Sequence, residues 1–271
     1  MSKPGFTVEK LPISRRLTRD IVTIGNKRNT MRGLLEVDVT EARRQVRAFR
    51  TRTGEKLSFT AYVIWCVGKV LGENKSVQAF VDWRRRLMVF DDVDIQTTLE
   101  VELDGRKTVI PHIIRAVNRK TVLEVHQDIR AAQERPRGNR QLASLVRWFP
   151  RVPWFIRRIV YWWVLKQPKL LKQHIGTAIV SSVGMFVPSG GWAIGTGSAH
   201  SCGMLLGGIA RRPRYVKDRL EPREILEITV SFNHDVVDGG PAARVTAQVV
   251  RTIEAAQGLA EARQDIPAPA S

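Results

Sequence analysis

The sequence predicts a fold of the α/β class, and three observations carry that reading. Ile228, Val230 and Phe232 alternate with polar residues, the pattern of a strand with one buried face. Tyr62, Val63, Ile64, Trp65, Val67, Val70 and Leu71 make a helical stretch apolar nearly all round, which predicts a buried helix. Thr121-Val122-Leu123-Glu124 is a capping box, opening a helix to about Gln133 with Val122, Val125, Ile129 and Ala132 facing inward. Strands and helices thus mix along 271 residues, a length that suits one large domain or two small ones.

Residues 1–11 read as a flexible lead. Gly33 to Thr40 predicts a strand ending at a helix cap, with Thr40 capping a helix from about Glu41 to Thr51. Val46 and Phe49 share one side of that helix, and Arg43, Arg44, Arg47 and Arg50 form a solvated face. Ser76 to Arg115 changes to short strands, with Trp83 to Leu87 as a turn. Asp104-Gly105 joins strands Asp94 to Leu103 and Arg106 to Ile114 as a hairpin. His112 reads as a core residue and His126, off the apolar stripe of its helix, as an exposed one.

Further along, Ile175 begins a strand, Cys202 to Ile209 is another, and Arg211-Arg212-Pro213-Arg214 reads as a basic loop. Ile225 begins the strand that carries His234, which continues the apolar parity and so should point to the buried side. After Asp238-Gly239-Gly240, Pro241 fits the first position of a helix in which Val245, Val249 and Ile253 recur, closed by Gly258. Residues 259–271 read as a disordered tail.

Composition narrows the function classes. Hydrophobic content is 43% and charged content 26%, so a packed core is expected. Cys66 and Cys202 sit in apolar surroundings and read as reduced core residues of a cytoplasmic protein, not a disulfide framework. No Cys/His cluster has metal-ligand spacing, and no metal is expected. No signal region opens the chain and no uncharged run spans a bilayer. The glycine-rich stretch Ser189 to Gly208 lacks P-loop spacing. A net charge of +18 points to an anionic partner or a solvated basic surface, but no nucleic-acid motif accompanies it.

The chemistry concentrates at His234. It stands at a strand end and is followed by Asp238 and Gly239 in a His-x-x-x-Asp-Gly arrangement. An imidazole titrating near working pH is a suitable base for a thiol or hydroxyl nucleophile, while the bland reading is a core His satisfied by backbone. The arrangement resembles the signature of the CoA-dependent acyltransferase superfamily, which includes chloramphenicol acetyltransferase and the acyltransferase component of 2-oxo-acid dehydrogenase complexes. The latter usually carry Asp-His-Arg, where this chain has Asn233-His234-Asp235. The resemblance extends to Glu36-Val37-Asp38-Val39-Thr40, to Lys56-Leu57-Ser58 with Tyr62-Val63-Ile64, and to Gly176 through Phe186, where relatives carry "GTFTISNLGMFG".

The resemblance implies a two-layer α/β sandwich like chloramphenicol acetyltransferase, a mixed sheet with helices on one side, spanning residues 12–258 as a single catalytic domain. It implies His234 as general base, Ser181 as oxyanion donor with Ser182 as second choice, and Asp238 holding the loop. Asn233 and Gly239 support that loop, and Arg16, one of the Arg15-Arg16 pair opening the first helix, is a candidate partner for Asp238. CoA or acyl-CoA is then a substrate, and the assembly is a homotrimer with sites between subunits. No lipoyl arm or subunit-binding domain is recognisable, so the chain reads as a free-standing catalytic domain. Its tail has no apolar knob, so assembly is expected to stop at the trimer. The alternative is a non-catalytic scaffold of the same fold that holds a membrane surface or anionic partner.

The chain departs from the family at about 136–173, where relatives have a short connection. Residues 145–166 hold four of the seven tryptophans, Trp148, Trp154, Trp162 and Trp163, among bulky apolar and cationic residues. This segment reads as an interfacial membrane helix, a lid, a subunit contact or a plain structural insertion; the first makes the protein peripheral to a membrane.

Overall fold

The apolar run after Ser58 forms the helix on which the other helices pack. In a computed structural model, which describes residues 7–8, 10–11, 14–103, 106–134, 149–183 and 189–260, this is α3 (Phe59–Glu73). Ten of its fifteen residues are buried, and Ser58 caps it by accepting from the Ala61 amide at 3.3 Å. Before it come α1 (Ser14–Gly25), β1 (Thr30–Asp38) and α2 (Thr40–Thr53). After it come the short strands β2 (Phe80–Val81) and β3 (Leu87–Met88), then β4 (Ile95–Leu103), β5 (Arg106–Ile114) and α4 (Val122–Glu134). The aromatic segment contributes α5 (Trp154–Leu165) and is followed by α6 (Pro168–Ile175). The chain closes with β6 (Ala178–Ser182), β7 (Cys202–Val216), β8 (Arg219–Asn233) and α7 (Gly239–Glu254).

Six strands form one mixed sheet in the order β1-β8-β7-β6-β4-β5, and β2 and β3 form a separate ribbon. β6 runs parallel to both β4 and β7, while the other neighbours are antiparallel. α3 packs against α4 and α7, which meet the sheet at β4 and β1. The core lies between these layers and includes Tyr62, Ile64, Ile95, Met204, Ile228 and Ile253. Tyr62 ties the layers further, its hydroxyl donating to the carbonyls of Thr252 and Ile253 at the end of α7. The mixed sheet with a helical layer is the predicted fold class.

The capping box forms as predicted: the Thr121 amide donates to Glu124 Oε2 at 2.7 Å and the Glu124 amide to Thr121 Oγ1 at 3.2 Å. β4 and β5 pair from Ile95 with Ile114 to Leu103 with Arg106, and the Asp104-Gly105 turn lies outside the described residues. Gly258 is left-handed, and a Cβ there would stand 2.4 Å from the Trp65 ring.

Several expectations are corrected. Arg211 to Arg214 is not a loop: β7 and β8 form one long hairpin turning at Lys217 and Asp218, both at positive φ. The arginines fit a strand because Arg212 pairs with Glu36 and with the buried Glu227, and Arg214 with Glu36. Thr40 does not cap α2; its hydroxyl accepts from the Glu224 amide at 2.8 Å. His126 is buried, because Nδ1 accepts the Ser58 amide at 3.2 Å beside α3. Pro241 lies two residues inside α7, which begins at Gly239 with Asp238 at its N-cap. Cys66 and Cys202 are free and buried, and burial pushes both thiols up to about 12.

Candidate acyl-transfer site

β8 ends one residue earlier than its apolar alternation implies. The Asn233 amide donates to the Ser201 carbonyl at 2.8 Å, and the His234 amide to the carbonyl of Asn29, the residue before β1, at 2.6 Å. The chain then turns. The Asn233 carbonyl accepts from the amides of Val236 and Val237, both at 3.0 Å, and Asn233 Oδ1 accepts from the Asp235 amide at 3.1 Å. That side-chain bond makes an Asx turn, a use for Asn at the position where relatives have Asp.

The turn corrects the expected direction of His234. Its side chain is half exposed rather than buried, because the residue has left the strand. Nδ1 lies 3.9 Å from Asp238 Oδ1, and Asp238 is itself largely exposed at the N-cap of α7, without a side-chain cap bond. Arg16 is not the partner of Asp238: its guanidinium donates to the Pro150 carbonyl at 3.4 Å, on the aromatic segment. Gly239 opens α7 in open space, where a Cβ would meet nothing within 4 Å.

One residue outside the motif holds the loop and a second lies close to it. Asn29 receives the His234 amide and donates its side-chain amide to Asp235 Oδ1 at 2.8 Å. Arg28 lies in the field of Asp235, and its burial draws its pKa below the usual value. The reversed charge at Asp235 is therefore accommodated locally. Neither residue had a sequence signal, since a contact across 206 positions leaves no spacing to read. Beside the loop opens a cleft of about 590 Å³, lined among others by Arg28, Phe80, Leu87, Trp162, Asn233 and Asp235.

Ser181 is buried on β6, and its hydroxyl is 2.6 Å from Thr98 Oγ1 on β4. Thr98 is a second contributor that the sequence did not flag. Ser182, the last residue of β6, is partly buried, and Gly184 to Phe186 lie outside the described residues. Ser181 pairs with Leu205 on β7, and Leu205 pairs with Thr229 on β8. His234 is thus two strands across and five residues along from Ser181. At about 4.8 Å per strand and 3.3 Å per residue, the separation is roughly 19 Å. Strand spacing thus sets the two residues well apart within one chain.

A second histidine is inert by construction. His200 is buried, with Nε2 2.7 Å from the Ile175 carbonyl and Nδ1 2.6 Å from Ser198 Oγ. The carbonyl can only accept, so Nε2 carries the proton and Nδ1 accepts from the serine. Burial pushes its pKa down to about 4. His112 is partly buried on β5. Among the described residues no group of three or more His, Cys, Asp or Glu is placed to hold a metal ion.

Comparison with known proteins bears on the fold and on one stretch of the sequence. Residues 168–260 match the family model of the 2-oxoacid dehydrogenases acyltransferase (catalytic domain). A probable dihydrolipoamide acetyltransferase from Listeria monocytogenes 4b F2365 superposes with a TM-score of 0.67 at 16% identity, over 93% of this chain and 96% of that one. The dihydrolipoamide acetyltransferase of Azotobacter vinelandii, investigated for a serine, a histidine and an asparagine in its catalytic mechanism, gives 0.68 at 15% identity over 94% and 95%. A chloramphenicol acetyltransferase gives 0.50 at 12% over 94% and 99%. A search of curated proteins finds no match. The fold is thus the one shared by these acyltransferase structures. Within that fold, residues 168–260 are the part that also carries the sequence pattern of the dehydrogenase acyltransferase catalytic domain.

Proposed function

We propose that the protein moves an acyl group between CoA and a thiol or hydroxyl acceptor, with His234 as general base and Ser181 as oxyanion donor. The observation that carries this reading is the His234 turn, held by backbone at Asn29 and by the Asx bond of Asn233, with the imidazole half exposed beside Asp238. His234 takes the proton of the acceptor as its sulfur or oxygen attacks the thioester carbonyl. The carbonyl oxygen becomes an oxyanion, to which Ser181 donates. Collapse re-forms the carbonyl and breaks the bond to the CoA sulfur, which leaves with the proton from the imidazolium. Asp238 stands beside the ring, its Oδ1 3.9 Å from Nδ1.

The distance of roughly 19 Å between His234 and Ser181 in one chain supports a site shared between subunits, His234 from one and Ser181 from its neighbour. A homotrimer is the assembly that the resemblance implies. The Azotobacter enzyme's histidine and asparagine stand at the spacing of His234 and Asp238, which supports the assignment of the loop. The non-catalytic reading rested on Asn233, Asp235, the positive charge and the aromatic insertion; the turn accommodates the first two, and with the family pattern over residues 168–260 the catalytic reading is favoured.

The test is CoA-thiol release from short- and long-chain acyl-CoAs, with dihydrolipoamide, alcohols and amines as acceptors, in wild type and His234→Ala. Turnover lost in the variant with an unchanged circular dichroism spectrum supports the assignment. Full retained activity overturns it.

A further inference from the structure

Helix α5 is amphipathic in the inverted sense. Its charged Arg157 faces the protein at 4% exposure, donating to Asp20 at 2.8 Å and to the carbonyls of Pro150 and Val152 at 3.1 and 2.7 Å. Its opposite side carries Phe155, Ile159, Trp162 and Trp163, spaced as one helical stripe and 52%, 64%, 64% and 52% exposed. An exposed large side chain is ordinary alone, but a contiguous stripe of them marks a contact surface.

Charge identifies what the stripe meets. Between Glu134 and Asp218 the sequence contains no Asp or Glu, so every ionised side chain in that span is cationic. Against α5 opens a pocket of about 480 Å³ whose lining includes Arg19, Lys27, Arg28 and Arg158 beside Trp162. The acid there, Asp20, is already paired with Arg157. Bulky apolar side chains edged by indoles and flanked by cations suit a boundary between acyl chains and anionic headgroups. A second copy applied to the same face would set these cations against like charges. α5 has twelve residues, about 18 Å of helix, too short to cross a bilayer.

We propose that α5 docks the protein on an anionic lipid bilayer. It lies in the membrane plane, its stripe among the upper acyl chains and Arg19, Lys27 and Arg158 at the headgroups. Trp162 also lines the cleft beside the His234 loop, so docking sets that cleft at the edge of the lipid.

The test is co-sedimentation of the full chain with vesicles of phosphatidylcholine alone and of phosphatidylcholine mixed with phosphatidylglycerol. Binding is expected to the mixed vesicles only, weakening as salt is raised. Arg158→Glu is expected to weaken it on the order of ten-fold. Ile159→Ser combined with Trp163→Ser is expected to abolish it, with particle mass by light scattering unchanged. No binding to mixed vesicles at low salt, or equal binding by the double variant, overturns the proposal. A double variant that falls apart into smaller particles also overturns it, by assigning the stripe to a subunit contact.

Discussion

The Asn29 side chain donates to Asp235 Oδ1 at 2.8 Å while its own carbonyl accepts the His234 amide at 2.6 Å. One residue at the start of β1 therefore holds both the backbone and the side-chain arm of the loop that carries the imidazole. Asn29→Ala removes the side-chain arm and keeps the carbonyl. Both partners are exposed, so the stability loss should be small, about 0.5–1 kcal/mol in urea unfolding. The loss in kcat should be larger, about ten-fold, because a small displacement of a reacting group is costly. Asp235→Asn keeps an acceptor and should stay near wild type. An Asp235→Ala enzyme with unaltered kcat would show that the clamp is not needed.

The hydroxyl pair Ser181–Thr98 makes a second prediction. If Thr98 donates to Ser181, the serine proton is free for the oxyanion. Ser181→Ala should lower kcat by about 10²–10³-fold, the cost of one oxyanion donor. Thr98→Val keeps the shape of the side chain and should lower kcat about ten-fold with KM unchanged, the mark of a positioning residue. Ser182→Ala should be near neutral. A larger effect at Ser182 than at Ser181 would exchange their assignments.

How much of this was legible depends on how local the cause is. The capping box at Thr121, the pairing of β4 with β5 and the buried α3 follow from residues within a few positions of one another, and all three form. The His234 motif was visible as a string, but its exposure was not, since parity cannot show that β8 ends at Asn233 and the chain turns at His234. Arg211 to Arg214 looked like a loop because the charges that neutralise Arg212 and Arg214 lie on Glu36 and Glu227. His126 looked exposed because its partner, the Ser58 amide, belongs to another segment. Long-range hydrogen bonds and ion pairs thus account for the misread residues.

His200 gives a pH dependence whose sign is fixed by its burial. Its folded pKa is pushed down to about 4, below the ordinary 6.5, so the folded state holds the neutral ring. Above pH 6.5 neither state is protonated and the group contributes nothing to the pH slope. As pH falls from 6.5 towards 4, the unfolded chain takes up a proton that the native protein refuses, and stability declines. The full loss is on the order of 3 kcal/mol. Urea unfolding between pH 7 and pH 4.5 should show a slope shallower in His200→Gln than in wild type by up to one proton. Equal slopes would mean that His200 is protonated in the native state.

Arg157 supports the seat of α5 from within. Its guanidinium satisfies Asp20 on α1 and the carbonyls of Pro150 and Val152 with little solvent access. Arg157→Ala takes this donor from the acid and from the Val152 carbonyl, while the Pro150 carbonyl keeps Arg16. Breaking a buried pair from one side costs about 3–5 kcal/mol. Asp20 is only partly buried, which places the expected loss at the lower end, about 3 kcal/mol. The loss should be local, because α5 packs on α6 and the α1 region rather than on the α3 core. Hydrogen exchange should therefore rise over Trp154–Leu165 while α3 stays protected. Combining Asp20→Asn with Arg157→Ala should cost less than the sum of the two, since each already removes the shared pair. Additive losses, or exchange that rises equally across α3, would show that Arg157 does not act through Asp20 on this helix.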